Sequence, residues 1–529
     1  MKSRIALLFS VLAVSSIITP PAAAHGPTLG KVQFKVECNA EAQREFNLAM
    51  AYYHSFAFPQ MQEPLDRALK ADPACGMMHW LRTLAALNNP FAWPTVIPAA
   101  ILAEGGRILD LARSTGLKSQ RERDYVDALA AYFGDQDKLD HRARAKALEA
   151  ALEKVMRAYP KDSEAATLYA LVLSANFDPT DKKYTNQLKA AKILEPIFKA
   201  QPEHPGVAHY LIHSYDYPPI AAQGLKAARR YAKIAPDAPH ALHMPSHIYT
   251  RVGAWKESIE SNRASARSGG DKSFDKWHAY DYMVYAHLQL GQDGAAREVV
   301  SDALRNPARI DHPGTAYAYA AMSARLALER GAWKDAAAVE LFPAASEFPW
   351  KKYTFAEAVN AYARGLGAAM SGDAAGARTQ VARLRALLEA TKVPYWAEQI
   401  AIQAEVVEGL AARAEGRTEE ALAILRKAAD REDATEKHVV TPGPLVPARE
   451  LLAYLELETG AAKPALANFE SVLKREPNRY RAFAGAAQAA ERAGNAKVAA
   501  AYAKKLVQLT AGADTSLSEI ADAKRLLGK

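Results

Sequence analysis

The chain has 529 residues, of which 50% are hydrophobic, 24% charged and 9% aromatic, a globular composition that excludes a disordered or collagen-like chain. Its net charge is +8, but 67 Lys and Arg interleave with 59 Asp and Glu and form no long basic run, so no nucleic-acid groove is indicated. Two cysteines exclude a disulfide-rich scaffold and allow one bridge.

The chain opens on a basic head, Lys2 and Arg4, then an apolar run from Ile5 to Ile18, then Pro20-Pro21-Ala22-Ala23-Ala24. This pattern predicts a cleavable signal peptide over 1–24 and a periplasmic or secreted mature protein. The run is short for a bilayer span, and no later stretch is apolar over a spanning length, so no membrane span is expected. An oxidising compartment bears on Cys38 and Cys75, each of which lies just ahead of a predicted helix. Their separation is close to one helical repeat of this chain, which allows either a bridge between neighbouring helix starts or two buried free thiols.

Residues 25–37 read as an N-terminal extension. From residue 38 onward, Ala-rich amphipathic segments recur and strand patterning is nearly absent. The segment Asn47 to Phe58, with Leu65, Ala68 and Asp72-Pro73, is close to a tetratricopeptide (TPR) consensus: two helices, small residues where they touch, and a proline closing the unit. Pro202 and Pro236 close successive repeats at the TPR period, and Gly253, Gly331 and Gly460 mark turns inside helix pairs. The expected fold is all-α, a right-handed α-solenoid of roughly nine to eleven TPR-type helix pairs. It is read as a long array over 38–430 with central His-rich repeats, a Pro-rich loop or hinge at 431–447, and further repeats over 448–529.

Six of the 14 histidines fall between 204 and 247. His209 and His213 recur one TPR period later as His243 and His247, so the two couples hold the same positions in consecutive repeats. Residues four apart share a helix face, and first helices of adjacent repeats pack side by side, so the register alone gathers four imidazoles. Counting back from the turn glycines adds His240 to this wall, and His278, Asp281 and Tyr285 in the next repeat. These residue types ligate metals and transfer protons. His209, His213, His243 and His247 are the expected ligands of a Zn or Cu ion, with Asp216 or Asp281 as a nearby carboxylate. His240, His278 and Asp281 would act behind them or as acid and base, and Tyr285 would orient a substrate; eight candidates also suffice for two metals. The opposing reading is that the imidazoles stack, cap helices or bind carboxylates of a peptide. His54, His79 and His287 read as packing residues, and His204 as a junction residue within reach of the cluster. No P-loop, GxGxxG, GxSxG, HExxH or CxxC motif is present.

Four stretches resemble a large bacterial family of secreted TPR proteins without a settled activity. They are Leu48 to Trp80, with His54-Ser55-Phe56 and Asp72-Pro73-Ala74-Cys75; His204 to His213; Ile234 to Ile248; and Lys437 to Glu450. The resemblance samples residues 38 to 505 and implies export and a Cys38–Cys75 bridge. It also implies that the histidine face lines a concave groove, where TPR arrays take a peptide or protein partner or a small polar ligand. Metal-dependent enzyme and non-enzymatic scaffold both remain open on the sequence alone.

Overall fold

The computed structural model describes residues 26–92, 97–134 and 139–528, so the expected signal peptide lies outside the described residues. Among the described residues there is no strand, and the fold is an all-α solenoid of TPR-type helix pairs. Among the described residues, twelve antiparallel pairs run from Ala40 to Leu509, and a last helix, Ser518–Leu526, covers the end. The count exceeds the nine to eleven expected from the sequence pattern.

Local signals set the units. Asn39, Ser119, Asp140 and Asp162 each accept a first-turn N–H with their side chains, and Ser119 completes a capping box with Glu122. Gly253 turns its pair at φ +68, a conformation that favours glycine, while Pro477 and Asn478 of a distant repeat pack directly against it. Cys38 and Cys75 form a disulfide with their Cα atoms 5.4 Å apart.

The array closes on itself. Asn478 Nδ2 donates to the Gly253 carbonyl (3.1 Å), and Trp255 Nε1 to the Asn478 carbonyl (2.9 Å). Asp514 accepts the N–H groups of Gly294 and Ala295, both at 3.0 Å, capping a helix far earlier in the chain. At the centre of this junction Arg479 is fully buried, with Nε 2.6 Å from Glu450 and Nη1 2.8 Å from Glu329.

Two irregular segments complete the closure. Residues 28–37 run extended across the ends of several repeats, burying Leu29, Val32, Phe34 and Val36. Lacking a strand partner, this segment places its N–H groups on side chains and loops: Thr28 on Asp237, Lys31 on the Glu203 carbonyl, Val36 on Gln43, Glu37 on Glu122. Phe34 sits among Phe46, Trp80 and Tyr125 at centroid distances of 5.3, 5.5 and 4.9 Å. The second segment, 435–447, threads the inside of the solenoid. Arg325 donates to the carbonyls of Gly443 and Pro444, and Tyr282 to that of Thr441. Among the described residues no helix is long and apolar enough to cross a membrane.

Arg479→Ala strands Glu329 in the interior and leaves Glu450 to Arg481 alone, so chemical denaturation should report a loss of about 3–5 kcal/mol, with an expanded radius by small-angle scattering. Opening the Cys38–Cys75 loop with Cys75→Ser should cost on the order of 3–4 kcal/mol, measured the same way, and adding reductant to the wild type should reproduce it.

Candidate metal centre

Four helical segments bring the central histidines together. Helix Pro205–Tyr215 starts on proline, with the His204 ring accepting the Val207 N–H at 3.3 Å, and carries His209 and His213 one turn apart. The first helix of the following pair is split into Pro239–His243 and Pro245–Arg251, since Pro245 has no N–H to continue the ladder. Its two pieces carry His240, His243 and His247. Helix Phe274–Gln289, capped by the Ser273 hydroxyl, carries His278.

The six rings fall into two adjoining triads. In each of His209/His213/His240 and His243/His247/His278, one ring nitrogen per residue lies within 4.8 Å of the others. The triads meet through His213 and His247 (centroids 5.8 Å) and through His240 and His243 (6.2 Å). All six rings are buried, none more than 9% exposed. His240 and His278 are therefore full members of the cluster, level with the four residues expected as ligands. Asp281 and Tyr285 are directed elsewhere: Asp281 pairs with Arg325 at 2.7 Å, and the Tyr285 hydroxyl accepts from Arg479 at 3.3 Å.

Hydrogen bonds fix where the protons sit. His209 Nδ1 donates to the His54 carbonyl (2.6 Å), and His247 Nδ1 to Asp216 (2.8 Å). His243 Nδ1 donates to Asn262 Oδ1 (2.6 Å), an assignment secured because Asn262 Nδ2 donates to the Ser258 carbonyl. The neutral forms of these three rings thus carry bare Nε2 lone pairs. Yet His243 and His247 hold their Nε2 atoms 3.0 Å apart, and His209 holds its own 3.3 Å from that of His240. In the first pair no proton is left to lie between the nitrogens. Burial also disfavours the charged form, pushing His209, His213, His243 and His278 well below the usual imidazole range. His247 drops to about 4, since burial outweighs the pull of Asp216. Among the described residues, His213 Nε2, His240 Nδ1 and His278 Nδ1 have no hydrogen-bond partner.

Charges stand behind the rings. Asp216 binds His247, Arg251 (2.9 Å) and Lys437 (2.9 Å), the last reaching in from the 435–447 segment. Burial alone would raise the Asp216 carboxyl; Lys437 and Arg251 hold it well below its ordinary value, while burial lowers Lys437 to about 8. Asp275 lies 3.6 Å from His240 Nδ1. Aromatic rings wall the cluster: Phe91 stacks on His213 at 3.8 Å, and Phe56 lies 4.4 Å from His209. Beyond Arg251 and Lys437 a cavity opens, lined also by Tyr317, Tyr395, Glu432 and Glu476.

Asn262, Asp275 and Phe91 had no sequence signal, and Lys437 only opened one of the family-like stretches: none shares the repeat register of the histidines. A third group, His54, Glu164 and His204, is also buried, with its bonds complete. Glu164 accepts from both rings (3.0 and 2.8 Å), His54 Nδ1 meets the Tyr210 hydroxyl (2.9 Å), and His204 Nδ1 caps its helix.

No family model and no curated protein matches the chain. Among solved structures, the chain is similar to a human IFIT1 dimer with m7Gppp-AAAA, at 13% identity over 82% of this chain and 90% of that one, TM-score 0.39. It is also similar to the APC/C hetero-tetramer Cut9–Hcn1, at 13% identity over 93% and 78%, TM-score 0.36. A third is Naa15/Naa10 bound to HypK, at 12% identity over 92% and 72%, TM-score 0.25.

For the metal-free protein the buried rings set a pH dependence. Unfolding returns each imidazole to its ordinary value near 6.5, so below that pH the unfolded chain binds more protons. Stability then falls as pH drops from about 6.5 towards 4, by at most about 1.4 kcal/mol per unit per histidine. Glu432, pushed up to about 7 by burial, together with Glu476 and Asp281, opposes part of this slope. Urea midpoints should be lower at pH 5 than at pH 7, and the slope shallower in His243→Gln; equal midpoints would refute the neutral, buried assignment.

Proposed function

We propose that this is an exported TPR-type solenoid protein that carries metal, copper or zinc, on the buried histidine cluster at its centre. The observation that carries this reading is the His243–His247 contact. Two lone-pair nitrogens face each other at 3.0 Å, each with its other nitrogen committed to an acceptor. Such a contact is repulsive when empty and calls for a cation. Two nitrogens bound to one ion at about 2.0–2.1 Å lie about 2.9 Å apart at a right angle and about 3.3 Å apart at the tetrahedral angle. The His243–His247 and His209–His240 separations fall in that range.

The residues around the rings have the form that metal-binding imidazoles require: a carbonyl, an amide and a carboxylate each hold one ring by Nδ1 and aim Nε2 inward. His209, His213, His243 and His247 are the proposed ligands, joined by His240 and His278. An ion on three imidazoles keeps a position open for a small polar ligand. The reading of the groove as a peptide scaffold asks the imidazoles to meet a partner's carboxylates. Their burial behind Phe56 and Phe91, and the threading of 435–447 through the interior, favour the metal instead. Export rests on the leader-like sequence, and the Cys38–Cys75 disulfide is compatible with it.

Untagged mature protein purified without chelators should contain copper or zinc in at least stoichiometric amount by elemental mass spectrometry. His209→Ala and His243→Ala should each lose half or more of it. Folded protein that stays metal-free and takes up neither ion would leave the partner-binding scaffold as the reading.

A further inference from the structure

A metal centre of six imidazoles can differ in how many ions it takes and in what oxidation state. Resting on the metal-centre reading, we propose that the cluster holds two ions, one on His209, His213 and His240 and one on His243, His247 and His278, and that they are copper in its cuprous form.

Six imidazoles exceed what one zinc or copper ion ordinarily takes from protein, which is three or four ligands. The rings divide evenly, and each triad is closed within 4.8 Å. Each holds one Nε2–Nε2 contact of the length that two ligands on one ion adopt, 3.3 Å in the first and 3.0 Å in the second. Each also holds a buried ring nitrogen without a partner, on His213 and on His278. Each has a carboxylate near one ring, Asp216 hydrogen-bonded to His247 at 2.8 Å and Asp275 at 3.6 Å from His240 Nδ1 without a bond. The two are the same construction made twice: an i, i+4 pair on one repeat, completed by a histidine from the next. His243 and His247 follow His209 and His213 by one helix pair, and the completing His278 follows its counterpart His240 by one helix pair as well. Repetition of the helix pair thus repeats the three ring positions, with the Nε2–Nε2 contact running from His209 to the completing His240 in one triad and within the i, i+4 pair in the other.

Charge selects the metal. Neither triad contains a carboxylate, so all six donors are neutral. Asp216, the nearest buried anion, is already shared between Arg251 and Lys437. Two zinc ions would place four positive charges in this walled site with little to offset them; two cuprous ions place half as many. Imidazole suits copper and zinc alike, so the choice falls to charge: the aromatic walls supplied by Phe56, Phe91 and Phe274 tolerate a low-charge ion better than a hydrated divalent one.

Anaerobic titration of the full mature protein with Cu(I) against a chromophoric cuprous chelator should saturate at two ions per chain, and an equal concentration of Zn(II) should not displace them. His240→Ala and His278→Ala, with folding checked by circular dichroism, should each keep one. When the wild type is loaded with Cu(II) instead, neighbouring spins couple. Its electron paramagnetic resonance intensity should then fall well below two spins per chain, and each variant should show one full spin. The wild-type measurements decide the matter even if a variant does not fold. Saturation at a single ion, two full uncoupled spins, or displacement by zinc would overturn the copper pair and leave a metal centre standing. Failure to bind either metal would overturn both.

Discussion

With the His54 carbonyl, Asn262 and Asp216 each taking a proton-bearing Nδ1, the Nε2 atoms of His209, His243 and His247 are left as lone pairs that converge in a buried site. In water such rings would turn away or take up a proton. Here the turns are blocked by Phe56, Tyr231 and Tyr282, and the proton is disfavoured by burial. Burial in turn depends on the solenoid closing: the Arg479 junction brings the last repeats back onto the middle ones, and residues 435–447 fill what would otherwise be an open concave wall. The chemistry of the centre is therefore a consequence of the tertiary closure as much as of the histidines.

The repeat register was legible because it is local. Gly253, Gly331 and Gly460 all take the positive φ that a tight interhelix turn requires, and the one-repeat offset between His209 and His243 places them in neighbouring helices as the period demands. The closure was not legible, because it is carried by pairs far apart in the chain, such as Arg479 with Glu329, Lys437 with Asp216 and Asp514 with Gly294. No periodicity connects such residues. For the same reason the sequence places the histidines on one face of a helix bordering a groove. Helix Pro205–Tyr215 is in fact buried at every residue, so it presents no solvent face at all. The alternation of Val32, Phe34 and Val36 is a strand-like signal in a fold that has no strand among the described residues; it marks an extended segment whose N–H groups are met mainly by side chains.

Several buried charged or titratable groups in this molecule are answered by the protein itself. Asp281 has Arg325; Glu450 has Arg479 and Arg481; Glu164 has two imidazole N–H groups. Each of these arrangements joins helices from different repeats, and each has a donor for its acceptor, which is what keeps a buried polar group from destabilising the fold. Against that background the six-histidine cluster departs from the rule. It gathers an excess of acceptor nitrogens, leaves three ring nitrogens without partners, and brings two lone pairs to hydrogen-bond distance with no hydrogen to share. Unpartnered buried atoms occur elsewhere too, Glu329 Oε2 and Trp277 Nε1 among them, but here three of them fall within one cluster of rings. On the reading proposed above, the converging lone pairs of His243 and His247 are where a cation from outside the chain would complete the fold.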